Sequence, residues 1–285
     1  MLPKVSVIIP TYNQSNFIKK SVESALAQNY VNFEVIISDD CSTDSTELVL
    51  VDLLYNEKVK YFRNKKNLGR VGNYKHALEK YATGDWVVNL DGDDYFCDNN
   101  FLSEVIDIVV RQTAERIAFV QGGQYISKNG LLILDNPAIS SEILLMDGKE
   151  YFYNFRKFNH FSHLSTVFNR KKAVEIDFYR LDISSSDIES FLRLALHGQV
   201  ILIKKPYGVW QHHQTNFSQN LNFKLVMTNF KYIDSVYRYA RKQGLNTMRL
   251  FFWKIRQQLF FIRRYSNLNT LSIFLNQTRE RKKSI

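Results

Sequence analysis

The sequence predicts an α/β fold, a mostly parallel sheet flanked by helices, followed by a basic helical appendage at the C-terminus. Three observations predict it. Short β-branched runs alternate with segments of helical period through the first half of the chain. Two of those runs end in carboxylates, Asp39-Asp40 and Asp91 to Asp94. After about residue 220 the strand patterns stop, and from Lys224 to Lys283 fourteen Lys or Arg stand against two acids, Asp234 and Glu280.

The elements follow in order. "KVSVIIP" is an unbroken apolar run of the kind buried on both faces of a sheet, and "NQSNFIKKSVESALAQ" after it repeats Ile18, Val22, Ala25 and Leu26 at helical spacing. "FEVIISDD" is a second strand, "DSTELVLVDLLY" a second helix capped by Ser42 or Thr43, and "VKYFRN" a third strand. "NYKHALEKYA" gives a helix stopped at Gly84, and "DWVVNLDGDD" the fourth strand. Strands alternating with helices of this length imply βαβ crossovers, so ligands are expected beyond the carboxyl ends of the strands. Both acidic clusters lie at such ends. Further along come the helix "NFLSEVIDIVVRQ", the strand "IAFVQGGQYIS", the helix "DIESFLRLALHGQ" and the strand "VILI".

Composition bounds the classes. With 285 residues, 45% hydrophobic and 14% aromatic, the chain is long enough for one large core with an appendage, read as residues 1–220 and 221–285. Four Pro and eleven Gly exclude a low-complexity linker. The opening "MLPKVSVIIP" does not read as a secretory signal, and no run reaches the roughly 18 apolar residues of a membrane span, so a cytoplasmic location is expected. Cys41 and Cys97 have no zinc-type spacing and read as reduced bystanders. The net charge of +10 resides in the appendage, which argues against a uniformly basic nucleic-acid binder.

Carboxylates packed closely raise one another's pKa unless a cation sits among them. Mg2+ or Mn2+ held by one or two carboxylates and completed by phosphate oxygens is the usual arrangement in nucleotide chemistry. The strand-end cluster in "VVNLDGDDYF" therefore reads as a site for a metal diphosphate. A response-regulator receiver also places acids at strand ends, but there the pair closes the first strand, which here ends "IIPTYN".

The segments "VSVIIPTYN", "DDCSTD", "NLGRVGNYKHAL", "LDGDD", "SSDIESFLRLALHG" and "WQHHQTNFS", in this order over roughly residues 4 to 218, resemble the glycosyltransferase family 2 enzymes of GT-A (Rossmann-like) fold. The resemblance implies an inverting nucleotide-sugar glycosyltransferase. It implies a pocket lined by Pro10, Thr11 and Tyr12, with Asp40 accepting from the uracil ring nitrogen and Asn67 and Asn73 near base and ribose. It further implies Asp91 on the ribose hydroxyls, Asp93 on Mn2+ or Mg2+ with Asp94 in support, and His213 at the metal or diphosphate. Asp187 falls on the family's catalytic base, with Glu189 the alternative. Ser186 stands where the family has Glu, Cys41 where it has Gly, and Gln211 where it has Arg; a one-residue slip would put His212 in place of His213. The implied partners are a UDP-sugar donor and a lipid-linked glycan acceptor in bacterial surface polysaccharide synthesis. A sugar nucleotidyltransferase and a non-catalytic membrane-associated adaptor are the alternatives.

In the appendage, "MRLFFWKIRQQLFFIRR" sets Met248, Phe251, Phe252, Ile255, Leu259 and Ile262 in one helical stripe flanked by Arg249, Arg256 and Arg263, with Trp253 and Phe260 outside it. The expectation is peripheral contact with the inner face of the cytoplasmic membrane through anionic headgroups, not nucleic acid.

Overall fold

The computed structural model describes residues 2–158, 160–213 and 223–266. The chain divides into two compact units, parted among the described residues between His213 and Phe223, with Ile183–Ser185 grouped with the second. The first unit is built on β1 (Val5–Thr11), α1 (Ile18–Leu26), β2 (Phe33–Asp39), β3 (Val59–Arg63), α2 (Arg70–His76), β4 (Trp86–Asn89), β5 (Tyr95–Phe96) and α3 (Phe101–Arg111). It continues through β6 (Ile117–Lys128), β7 (Leu131–Asp135), β8 (Ile143–Asp147), α4 (Gly148–Asn154), β9 (Thr166–Asn169), α5 (Arg170–Glu175), α6 (Ser186–Ala195) and β10 (Gln199–His212).

These strands make one ten-stranded sheet in the order β3-β2-β1-β4-β9-β6-β10-β5, with β7 beside β6 and β8 beside β10. The strands β3, β2, β1 and β4 run parallel. Every residue of β1 and β2 is buried, which is why their sequences are continuous apolar runs instead of alternating ones. Beyond β4 the sheet turns mixed: β6 and β10 are parallel to each other, while β9, β7, β8 and β5 pair antiparallel. Pro206 lies in β10 at an irregularity of its register, the position in which a strand tolerates a residue without an N–H.

At the amino ends of the strands, Glu34 is buried and receives Lys4, Lys60, Ser6 and Thr83. Burial alone would raise its pKa, but the donors from Lys60, Ser6, Lys4 and Thr83 outweigh burial and lower it to about 2. One carboxylate thus ties the beginnings of β1, β2 and β3 to the turn before β4.

The segment expected as a second α-helix is a 3-10 helix, Leu48–Tyr55, with only Leu50 buried. Its sequence has no polar face to set an α-helical orientation, and its expected caps are engaged elsewhere. The Ser42 hydroxyl accepts from the Asn13 N–H, and the Thr43 N–H donates to the Asn13 side chain. The helix expected over 73–82 begins earlier, at Arg70, and widens into a π turn over Ala77–Tyr81 that lays Tyr81 flat on Phe62 at 3.9 Å.

In the second unit, α7 (Phe223–Lys242) and α8 (Thr247–Ser266) are joined by an ion pair between Lys254 and Asp234 at 2.6 Å and by the ring of Phe261 against Phe230 and Tyr232. On α8, Leu250, Trp253, Gln257 and Phe261 are buried. The sequence-read stripe is on the surface, with Met248, Phe251, Phe252, Leu259 and Ile262 exposed and Ile255 half-buried.

Cys41 has φ of 66°, the left-handed region that costs a residue with a Cβ about 1 kcal/mol or more. Glycine adopts it without that cost. Cys41→Gly is therefore expected to raise stability by up to about 1 kcal/mol in urea unfolding; a loss of that size would show instead that packing of the thiol outweighs the backbone.

Candidate active site

The carboxyl end of β1 lies between the two acidic clusters. The Thr11 carbonyl accepts the Asp40 N–H at 2.9 Å, and the Pro10 carbonyl accepts the Gly92 N–H at 3.2 Å. Both clusters therefore flank the carboxyl end of β1, where the strand topology predicts the ligand crevice. Tyr12, just beyond, is 47% exposed and is a surface residue there.

On one side, Asp39 is occupied by the fold: it takes the Ser42 N–H and the Tyr61 hydroxyl. Asp40 is buried, and its Oδ1 accepts from Asn64 Nδ2 at 2.9 Å and Leu68 N at 2.7 Å. Asn73 lies behind it, with an amide bonded to Ser38 and Asn64. It orients the residue that holds Asp40 and sits in the interior. Asn67 is exposed, its carbonyl accepting the Gly69 N–H at 2.9 Å.

On the other side is the acidic loop. Gly92 is closely packed: a Cβ there would press on Gln14 Oε1, the end of a flexible side chain that would have to shift, and would meet Ile18 and Thr11 near 3 Å. Ser21 donates to the carbonyls of Gly92 and Asp94, and the Gln211 N–H donates to Asp94 Oδ1 at 2.8 Å. The Gln211 side chain donates to the Asp93 carbonyl. Gln211, which departs from the family pattern, thus fastens β10 to the loop. Asp91 Oδ1 accepts the Tyr74 hydroxyl at 2.6 Å. His213 Nε2 is 3.0 Å from Asp93 Oδ2, and its ring stacks on Phe17 at 4.6 Å. His212 instead lies edge-on to Trp210, so the residue at Asp93 is His213 and not its neighbour. Of the stretch "WQHHQTNFS", residues 214–218 lie outside the described residues.

The side-chain oxygens of Asp91, Asp93 and Asp94 come within 4.8 Å of one another. Burial raises the pKa of Asp93, and the charge of Asp91 adds to it, partly offset by His213. Burial, then Asp93 and Asp91, push Asp94 well above the usual carboxylate range. A set of hard oxygen donors this crowded fits an oxygen-preferring divalent cation, which would relieve the repulsion; Asp93 would hold it with His213 alongside.

Asp187, at the start of α6, accepts its neighbour's N–H from Ile188. Burial disfavours the charge on Arg70, but Tyr74, Asp187 and Asp91 outweigh burial and hold its pKa above the ordinary value. Asp187 therefore shares an electrostatic environment with Asp91 through that guanidinium. Burial lowers the pKa of His163, against the pull of Asp91 and Asp187; its ring bonds to Asn89 and the Tyr179 hydroxyl and lies edge-on to Tyr74. Glu189, the alternative base, is fully buried and bound by Arg193 and Arg180, with oxygens at 2.8 to 3.1 Å from their nitrogens. It belongs to the structure of α6.

A family model described as "Glycosyl transferase family 2" matches residues 6–173. The chain belongs to this family. Its relatives include a GalNAc(5)-diNAcBac-PP-undecaprenol beta-1,3-glucosyltransferase of Campylobacter jejuni, 35% identical over 133 residues, covering 46% of this chain and 41% of that protein. Another is a chondroitin synthase of Pasteurella multocida, 29% identical over 249 residues, covering 81% of this chain and 24% of that protein. The chain thus spans less than half the length of these curated relatives. Among solved structures, S. aureus TarS 1-349 in complex with UDP-GlcNAc superposes with a TM-score of 0.74 at 19% identity, over 94% of this chain and 74% of that one. The mannosyltransferase PcManGT from Pyrobaculum calidifontis, in complex with GDP-Man and Mn2+, gives 0.55 at 14% identity, over 98% and 80%. These likenesses establish the GT-A fold.

The raised pKa of Asp94 has a consequence for metal-free protein. A carboxyl that holds its proton more tightly when folded adds stability below the ordinary carboxylate pKa, and that contribution is lost as pH rises toward the native value. Asp94→Asn keeps an acceptor for Gln211 and removes the charge. In EDTA it is expected to melt above the parent at neutral pH, with the difference closing near pH 3 to 4; equal melting at neutral pH would show the cluster carries no repulsive cost.

Proposed function

We propose that this chain transfers a sugar from a UDP-sugar to a hydroxyl of a glycan acceptor with inversion at the anomeric carbon, in bacterial surface polysaccharide synthesis. The observation that carries the reading is the crevice at the end of β1, with Asp40 on one side and the Asp91–Asp93–Asp94 cluster on the other, and with Asp187 electrostatically joined to Asp91.

The chemistry follows from the parts. The two protein donors to Asp40 both reach Oδ1, so Oδ2 is the acceptor offered to the imide N–H of uracil; cytosine presents an acceptor at that position and is disfavoured. Asp91 meets the ribose hydroxyls while bonded to Tyr74. Asp187 removes the proton of the acceptor hydroxyl, whose oxygen attacks the anomeric carbon opposite the nucleotide as the bond to UDP breaks. Arg70 balances the charge of Asp187 and Asp91. When bound, Mn2+ or Mg2+ would neutralise charge developing on the departing diphosphate.

The UDP-GlcNAc complex of TarS supports the donor class, and the undecaprenol named for the C. jejuni relative supports a lipid-linked acceptor. No described helix is long and apolar enough to cross a membrane. The exposed apolar stripe of α8 beside Arg249, Arg256 and Arg263 supports peripheral contact with the inner face of the cell membrane.

Two substitutions test the site. Asp93→Ala is expected to weaken UDP binding sharply in calorimetry and to abolish its dependence on Mn2+; retention of metal-dependent affinity would refute the metal assignment. Asp187→Asn is expected to leave UDP affinity intact while turnover falls by about 10² or more, since a base acts in the transition state. Normal turnover in that variant would remove Asp187 from the chemistry, and release of pyrophosphate in place of UDP by the parent would make the protein a nucleotidyltransferase.

A further inference from the structure

The hairpin of β6 and β7 carries an apolar surface that the site described above does not use. Its turn, Asn129-Gly130, has φ of 51° and 78°, the two positive values of a tight two-residue hairpin. Beyond it Leu131, Leu132, Ile133 and Leu134 are 70%, 55%, 52% and 54% exposed. Successive side chains on a strand point to opposite faces, so among the described residues both faces of β7 are exposed. Facing them on β6 are Tyr125, Ile126, Ser127 and Lys128. Lys128 is the one charged residue from Tyr125 to Leu134. Asp135, which closes the hairpin, is engaged by His160 and Gln124.

The two-sided exposure selects the occupant. A flat protein partner covers one face of a strand and leaves the other face's leucines in water. Edge pairing with a second copy satisfies the backbone of β7 but covers neither face. A lipid interface surrounds both, and a lysine at the tip suits an anionic headgroup layer. The location is also defined: β6 pairs with β10 from Tyr125 opposite Val209 to Lys128 opposite His212, and the next residue, His213, reaches Asp93. The hairpin therefore borders the acidic crevice.

We propose that the β6–β7 hairpin inserts its Leu131–Leu134 strand into the interfacial layer of an anionic bilayer, holding the crevice beside lipid-linked acceptor. Its catalytic purpose rests on the glycosyl-transfer reading above; the insertion does not.

The test uses the full chain with phosphatidylcholine vesicles, with and without phosphatidylglycerol. The double variant Leu132→Glu, Leu134→Glu alters exposed positions outside the site, so melting temperature and UDP affinity are expected to stay at the parent's values. Vesicle partition is expected to fall about tenfold or more at both low and high salt, because the lost contact is apolar. The variant Arg249→Gln, Arg256→Gln, Arg263→Gln is expected to lose partition chiefly at low salt. As a second readout, Leu131→Trp fluorescence should be quenched by vesicles of brominated lipid. Unchanged partition of the leucine variant, or no quenching of Leu131→Trp, overturns the proposal. So does a self-association, seen by sedimentation velocity, that the leucine variant abolishes while vesicle binding persists. A parent chain that inserts its hairpin but releases no UDP from any UDP-sugar leaves the insertion standing and overturns the enzymatic reading.

Discussion

Repulsion among three carboxylates in one partly buried loop is the constraint around which this fold is arranged. Asp91, Asp93 and Asp94 bring their oxygens within 4.8 Å, and the pKa values of Asp93 and Asp94 are raised. Such a loop opens unless its backbone is held from several sides. Ser21 of α1 holds two of its carbonyls, Gln211 of β10 holds Asp93 and Asp94, Tyr74 of α2 holds Asp91, and the end of β1 holds Gly92. Four elements distant in sequence thus meet on four residues. The fold supplies the positions, and the raised pKa values of Asp93 and Asp94 reflect the cost of burying these acids together.

Glu34, at the opposite end of the sheet, shows the alternative treatment of a buried carboxylate. Lys4 and Lys60 sit on it, Ser6 and Thr83 add hydrogen bonds, and its pKa is about 2. The two ends differ in their neighbours: Glu34 has two lysines on it, whereas Asp93 and Asp94 have each other and Asp91. Where the donors suffice, the acid is a tie between strands. Where burial and neighbouring acids dominate, as at Asp93 and Asp94, the pKa values rise instead.

The first half of the fold was legible in the sequence because β1, β2 and β4 are buried on both faces and α1 and α3 have an apolar stripe of helical period. Asp40, Asp91 and Asp93 were legible as carboxylates at strand ends. In the second half β6, α6 and β10 were legible as well, but β5, β7, β8 and β9 were not: they are two to five residues long, and β5, β8 and β9 pair antiparallel with strands remote in sequence. The hairpin left a trace that the reading passed over: Asn129-Gly130 between apolar runs is a strong turn signal. Arg70 and Tyr74 lie within a segment already singled out, one helical turn apart, but charge and ring at that spacing read as an ordinary helix face. His163 and Tyr179 sit outside regular elements, where no period exists to reveal them. Asn73 is the converse case, a residue whose type suits the pocket and whose amide is spent inside the fold.

The helix α6 places two carboxylates two residues apart, and they have opposite fates: Asp187 faces the charges of the crevice, while Glu189 is sealed under Arg193 and Arg180. Two residues on a helix are a rotation of about 200°, so one backbone segment sorts its acids by angle alone. The length of that segment is therefore fixed more strictly than its composition. Inserting or deleting a single residue between Asp187 and Glu189 would turn one carboxylate by about 100° relative to the other, exposing the buried pair or withdrawing the acid from the crevice. A surface loop absorbs an added residue at small cost, whereas a change of count in this turn would misplace one carboxylate or the other.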